Sequence, residues 1–284
     1  MAKKIVQYMV ATILALAILI LVIINILSSS VLSKEYILNK LQSQNYYEKI
    51  YQETELNFEN YIHKSGLDDD VLKDIVTKEK IEKDTKIILN NIYNGMDEKI
   101  DTKEIKEKLN ENINNSLNGK ISNSEQKAID TFVDTICKEY ETTISHTNYE
   151  KKMNEAINKI NKYIDLIKKA MAVTIGISII ILILLTIRRI YRITSKIGVA
   201  FTIDGLILIL AKNYINSNIK IETIMVLNNG ISDVLQSILN EILSNIFKTG
   251  SILLGLGIVL IAVYGIIKSI RKFKREKDQY TPEN

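Results

Sequence analysis

The stretch AMAVTIGISIIILILLTI, Ala170 to Ile187, is followed at once by Arg188, Arg189, Ile190, Tyr191 and Arg192, and its reading decides the fold. Its eighteen residues carry no charge. A run of this length crosses most of a bilayer's hydrocarbon as a helix, and clustered basic residues mark the end that stays in the cytoplasm. A charged region lies before it and further apolar segments lie after it.

Composition supports this reading only through its distribution. The chain of 284 residues is 46% hydrophobic with a net charge of +4, and its mean hydropathy is +0.06, so the average is that of an ordinary protein. The apolar residues are concentrated in blocks. An isoelectric point of about 8.8 raises nucleic acid as a partner. The basic residues, however, form short clusters beside apolar runs, which points to anionic lipid headgroups and away from nucleic acid. One cysteine, Cys137, excludes an intramolecular disulfide, and two histidines with one cysteine make no metal set.

From the start of the chain, Lys3 and Lys4 precede an apolar run from Met9 to Leu27 broken only by Thr12 and Asn25. Ser28, Ser29 and Ser30 follow it, as small residues follow the apolar core of a signal peptide. A signal core spans about 7 to 15 residues, and this run is longer, so a retained anchor is expected.

Residues 33–167 change character. They hold twenty Lys, no Arg and twenty-six Asp or Glu, a mildly acidic balance suited to the side of the membrane opposite the basic clusters. All five arginines, Arg188, Arg189, Arg192, Arg271 and Arg275, flank expected inner ends of spans. Apolar residues recur at helical spacing: Leu38 and Leu41 with Tyr46 or Tyr47; Ile81, Thr85, Ile88, Leu89 and Ile92; Ile105, Leu109, Ile113 and Leu117; Ile129, Val133, Ile136 and Tyr140; and Met153, Ile157, Ile160 and Ile164. Ser65-Gly66-Leu67 punctuates the first pattern, and Asn94-Gly95 closes the next. Asp68, Asp69 and Asp70 suit a helix start, where exposed amides and the dipole favour acids, better than a cation loop, which needs regularly spaced oxygen ligands. N-cap chemistry is expected at Asp101–Glu104, Ser122–Glu125 and Thr147–Glu150. These stripes must pack together, which predicts a bundle of four to six helices.

No Pro or Gly interrupts the chain from about Asn148 into Ala170, so one continuous helix is expected there, and the first span is expected to continue through Val31 and Leu32 into Tyr36. Two such stalks resemble the extracytoplasmic sensory domains of bacterial receptors. The chain departs from that pattern after Arg192, where no kinase or signalling coiled coil follows.

Ile197 to Ala211 forms a third apolar segment, extendable through Asn213 and Tyr214, and a fourth begins near Gly250 and ends at Lys268, Arg271, Lys272, Lys274 and Arg275. Four spans make every strong basic flank cytoplasmic, with Lys3, Lys4, Arg188, Arg189, Arg192, Lys196, Lys268, Arg271, Lys272, Lys274 and Arg275 at headgroups. Asp204 interrupts the third segment. It reads either as a proton or cation relay or as a structural or interfacial polar residue, the latter favoured because no intramembrane cation accompanies it. Residues 217–247 carry a broad apolar face opposed by Asn228, Asn229, Asp233, Gln236, Asn240 and Glu241, suited to packing on protein more than on the membrane surface. Gly198 and Gly205 lie seven apart on one face, and Gly250, Gly255, Gly257 and Gly265 enrich the fourth segment, which suits close helix packing.

No P-loop, dinucleotide fingerprint, zinc-binding His-Glu motif or nucleophile elbow occurs. His63 and His146 stand alone, and Cys137 sits beside Ile136 on an apolar face, as a core residue does. The anchor, the Lys/Asn-rich helical region containing NYYEKIY and SGLDDDVL, and the later apolar segments together resemble uncharacterised multi-pass membrane proteins of Gram-positive Firmicutes. That resemblance implies an extracytoplasmic bundle and no residue roles.

The expected protein is an all-α integral membrane protein of the bacterial plasma membrane. It has four transmembrane helices, a large extracytoplasmic helical bundle between spans 1 and 2, and an amphipathic helix between spans 3 and 4. The segments are 1–32, 33–167, 168–196, 197–216, 217–247, 248–268 and 269–284, with both termini cytoplasmic. The expected function is non-enzymatic and cofactor-free: recruiting an envelope protein partner or sensing an external condition through the bundle. The alternative is an accessory subunit or small transporter using Asp204. Lipids, another envelope protein and a second copy of the chain are the expected partners.

Overall fold

The helical periodicities become helices almost everywhere. A computed structural model describes residues 2–117, 122–145, 147–221 and 229–280, and no strand occurs among them. The helices are α1 (Ala2–Ser28), α2 (Lys34–Ser43), α3 (Tyr46–Ser65), α4 (Lys78–Asn94), α5 (Lys103–Ser116), α6 (Asn123–Ile144), α7 (Thr147–Thr186), α8 (Arg192–Asn218) and α9 (Asn229–Tyr280). They divide into two compact units, one of residues 1–30, 162–223 and 238–284, the other of residues 31–161 and 224–237. Helices α7 and α9 each contribute residues to both.

The first unit contains the apolar runs. Four helices are long and apolar enough to cross a membrane: Lys3–Ser28, Glu150–Thr186, Arg192–Asn218 and Gly230–Phe273. Val10 and Leu14 of α1 pack with Leu182 of α7, against which Ile18, Ile175, Ile179 and Ile197 close, and α1 also packs against α8. In lipid the hydrophobic effect does not draw such helices together, so close van der Waals fit must. Glycine supplies that fit between α8 and α9. A β-carbon on Gly205 would lie 2.5 Å from Leu254 N and 2.6 Å from Gly250 O, and one on Gly198 would lie 2.9 Å from Gly257 O. Two glycines seven apart on α8 thus face two seven apart on α9, running oppositely. The Gly198 and Gly205 face expected from sequence is an interhelical seam, whereas Gly255 and Gly265 meet nothing within 4 Å.

The second unit is the charged bundle. Its interior holds Ile50 and, from the expected stripes of α4, α5 and α6, Ile81, Ile105, Leu109, Ile113, Val133, Ile136 and Tyr140, all 0% exposed, whereas Met153 and Ile160 of the stripe expected on α7 are 48% and 45% exposed and stay outside it. Each such aliphatic side chain contributes about 1.5–3 kcal/mol on burial. Cys137 is buried beside Ile136, as its stripe implied. Gly66 and Gly95 end α3 and α4 at φ +75° and +69°, a left-handed conformation that glycine adopts without a Cβ clash. Ser122 and Glu125 form the full reciprocal capping box at the start of α6.

Several boundaries differ from the sequence reading. The first span does not continue into Tyr36. Its helix ends at Ser28, the Ser28, Ser29 and Ser30 hydroxyls donate to the carbonyls of Ile24, Asn25 and Ile26 at 2.7–2.9 Å, and Ser33 caps a new helix by accepting from Tyr36 N. The pattern from Leu38 to Ser65 is two helices, parted where Asn45 takes a left-handed φ of 53°. Asp101 is not the N-cap of α5. That position belongs to Thr102, and Asp101 Oδ1 accepts from Lys103 N in a tight turn. Asp69 and Asp70 open a single 3-10 turn, Asp69–Leu72, and Asp68 makes no side-chain cap bond there. The side chain of Thr147 lies outside the described residues, as does His146.

The continuous helix expected from Asn148 through Ala170 is present as the forty residues of α7. Residues 217–247 hold a further difference. From Asn229 their apolar face is the first third of α9, which runs on without interruption through Gly250, while Ile224, Leu227 and Asn228 lie outside the described residues. The first turns of α9 belong to the bundle: Asp233 pairs with Lys49, and Lys40 Nζ donates to Ser237 Oγ at 3.5 Å.

Candidate functional site

The basic residues singled out in the sequence separate into three groups. Lys3 and Lys4 from the first turn of α1, Arg189 from the 3-10 turn after α7 and Arg192 from the start of α8 line one cavity of about 370 Å³ with Gln7, Leu185 and Thr186. The 3-10 turn of residues 187–189 and the start of α8 thus place these two arginines beside the first turns of α1. No acid lines the cavity, and among the described residues none of its four cations is ion-paired. Gln7 forms its wall. It is 8% exposed, and its Nε2 donates to Leu185 O at 3.2 Å, satisfying a carbonyl that the end of α7 leaves free. The Thr186 hydroxyl turns back to Leu182 O at 2.5 Å.

The second group is aromatic as well as basic. The Lys196 ammonium lies 3.2 Å from the centre of the Tyr8 ring, and the Arg271 guanidinium lies 4.5 Å from the Tyr191 ring, which stacks on Tyr264. Tyrosines with cations at the ends of apolar helices form the kind of belt found where hydrocarbon meets headgroups. Lys268 and Lys272 form the third group, exposed on α9 and not among the residues that line the cavity. The side chains of Arg188, Lys274 and Arg275 lie outside the described residues.

Asp204 is 1% exposed, beside Gly205 on the seam helix, and its Oδ2 has no hydrogen-bond partner among the described residues. Burial places it inside the helix packing and away from the exposed side of α8, which carries Ile203, Leu206, Ile207 and Leu210.

In the bundle, a groove of about 580 Å³ lies between the end of α3 and the first half of α6. Leu67, Leu117, Ile129 and Phe132 line it, with Tyr61, Lys64, Glu125 and Thr135 at its polar margin. Glu139 holds that margin in place by accepting from Tyr61 Oη at 3.0 Å and from Asn57 Nδ2 at 3.3 Å. The hydrogen bond to Glu139 raises the Tyr61 phenol above its ordinary pKa. Deeper in the bundle, the buried Asp84 accepts from Tyr140 Oη at 2.7 Å and from Lys80 Nζ at 3.0 Å. Tyr140 is pushed strongly upward, first by burial and then by that carboxylate. The cluster is a satisfied polar core with no opening of its own among the cavities described. No three His, Cys, Asp or Glu side chains gather as a metal set among the described residues.

Gln7 is inconspicuous in the sequence. A lone amide one turn beyond Lys3 and Lys4, at the edge of an apolar run, was the available signal, because an amide there needs a protein partner or a headgroup. No protein-family model, curated protein or solved structure matches the chain.

Proposed function

We propose that the chain is a multi-pass protein of a bacterial plasma membrane that presents its helical bundle outside the cell and binds a protein partner with it. The observation that carries this reading is the groove between α3 and α6. It combines an apolar floor of Leu67, Ile129 and Phe132 with a fixed polar margin at Tyr61 and Glu139, the composition that protein interfaces use at their centre and rim. The orientation follows from charge: Lys3, Lys4, Arg189, Arg192, Lys268 and Arg271 all flank ends of apolar stretches that the positive-inside rule assigns to the cytoplasm. Both termini are then inside and the bundle is outside.

Orientation and recruitment are tested separately. A cysteine at Ser65 should react with an impermeant maleimide on intact cells and one at Ser195 only after permeabilisation; the reverse pattern would invert the topology. Crosslinking of the full chain in its native membrane should capture a partner that Leu67→Asp or Thr135→Arg, both in the groove's lining, releases. Capture unchanged by both substitutions would remove the groove from the reading.

Asp204 supports a second reading, an accessory or transport role, because a buried carboxylate oxygen without a partner in an apolar helix suits a transient cation or proton. Flux in proteoliposomes that Asp204→Asn abolishes would favour it. The glycine seam beside Asp204 favours a structural role, since it brings α8 and α9 to backbone contact.

A further inference from the structure

We propose that the cavity lined by Lys3, Lys4, Arg189 and Arg192 is a binding site for the phosphate of one anionic phospholipid headgroup. This rests on the membrane placement above and is independent of the bundle's partner.

Four cations gathered with no acid among the described lining residues repel one another, and a shared anion removes that repulsion. The donor set narrows the anion's chemistry. Two guanidinium forks and two ammonium groups supply directed and rotatable donors that match a phosphate's oxygens, and Arg holds such groups in two-point geometry where Lys adds charge. The site is also built: Gln7, buried and bonded to Leu185 O, fixes α1 against the end of α7, so Lys3 and Lys4 are held opposite the two arginines.

A soluble phosphate and a lipid headgroup share this chemistry. The surroundings favour the lipid. Ile5, Met9, Leu184 and Ile187, neighbours in sequence of the lining residues, are 55%, 60%, 62% and 61% exposed, an apolar margin suited to acyl chains. Tyr8 under Lys196, and Tyr191 next to Arg192, place the cavity at the aromatic level where headgroups lie. Basic pockets between membrane helices recognise anionic headgroups by this combination of charge and depth.

The test uses the full chain in detergent, with phosphatidylglycerol or phosphatidylcholine added and retained lipid counted by native mass spectrometry. One phosphatidylglycerol should be retained with a preference of about tenfold or more over phosphatidylcholine, the loss expected from a single charge-assisted contact. Arg189→Gln/Arg192→Gln should erase the preference. Lys268→Gln/Lys272→Gln, which removes the same charge outside the cavity, should preserve it. Lys3→Gln/Lys4→Gln, on the exposed first turn of α1, gives a second disruption if the arginine variant loses helix content. Equal retention of the two lipids, or a preference untouched by both cavity variants, would overturn the site. Inorganic phosphate or pyrophosphate that stabilises the lipid-free chain, with no phosphatidylglycerol retained, would overturn the lipid assignment. A chain soluble without detergent would instead sink the membrane placement, so the two failures are distinguishable.

Discussion

Replacing Gly205 by alanine adds one methyl group where α8 and α9 meet backbone to backbone. That carbon would lie 2.5 Å from Leu254 N and 2.6 Å from Gly250 O. Ordinary carbon contacts lie at about 3.5–4.0 Å, so the helices must part by roughly 1 Å, and both obstructing atoms are backbone and cannot rotate aside. Overpacking of this kind costs about 1–3 kcal/mol, against which alanine's better helix propensity returns about 1 kcal/mol. Gly205→Ala should therefore destabilise the unit that holds α8 by up to about 2 kcal/mol. Gly255→Ala is the internal control. Nothing lies within 4 Å of a β-carbon there, so only the propensity gain of about 0.5–1 kcal/mol remains and the variant should be neutral or stabilised. Unfolding in mixed micelles, followed by circular dichroism over a sodium dodecyl sulfate titration, reads the difference. Equal midpoints for the two variants, or a more stable Gly205→Ala, would refute the seam.

Other outcomes follow from the bundle. Asp84→Ala leaves the Tyr140 hydroxyl buried without its acceptor and strips Lys80 of its carboxylate, a loss of about 3 kcal/mol in denaturant unfolding, whereas Tyr140→Phe should cost about 1–2 kcal/mol. A larger effect from Tyr140→Phe than from Asp84→Ala would contradict the shared-carboxylate geometry. Burial raises Tyr140, and raises Tyr47 to about 12, so the folded bundle holds these phenol protons more tightly than the unfolded chain. The resulting stability is present below the ordinary tyrosine pKa of about 10 and is lost as pH rises through the folded values. Alkaline titration of phenolate absorbance should show late-titrating tyrosines in the native protein only; uniform titration near the ordinary value would remove this contribution. Burial also raises the Cys137 thiol. It should resist maleimide until the bundle unfolds, which permits topology mapping with the native cysteine retained, and rapid native labelling would contradict its burial.

Local signals were the legible ones. The Ser122–Glu125 box, the Gly66 and Gly95 helix ends and the unbroken α7 each depend on residues within a turn or two of each other. Positions where two local solutions compete were read less well. Ser28 to Ser33 carries enough apolar flank to extend a helix, yet its hydroxyls offer the carbonyls alternative partners, and Ser33 starts a new helix instead. Asp101 and Thr102 are both capping residues, and nothing in their order decides between them. Residues 217–247 read as a separate helix because their apolar face changes character near Gly250, but a change of face does not require a break in backbone. The basic cavity was the least legible. Its residues come from positions 3–7 and 185–192, and only the packing of α1 beside the end of α7 unites them.

The glycine seam sets the rotational phase of α8 and α9. Seven residues make nearly two helical turns, with a drift of about 20°, so two glycine pairs stay aligned over roughly 10 Å. One residue inserted between Gly198 and Gly205 would turn one glycine about 100° away from its partner and place a branched or long side chain in the contact. The same insertion after Asn218, beyond the end of α8, leaves both pairs facing. Tolerance to changes in chain length should therefore be low across a short interval of this helix and recover outside it, an asymmetry that hydropathy alone does not contain.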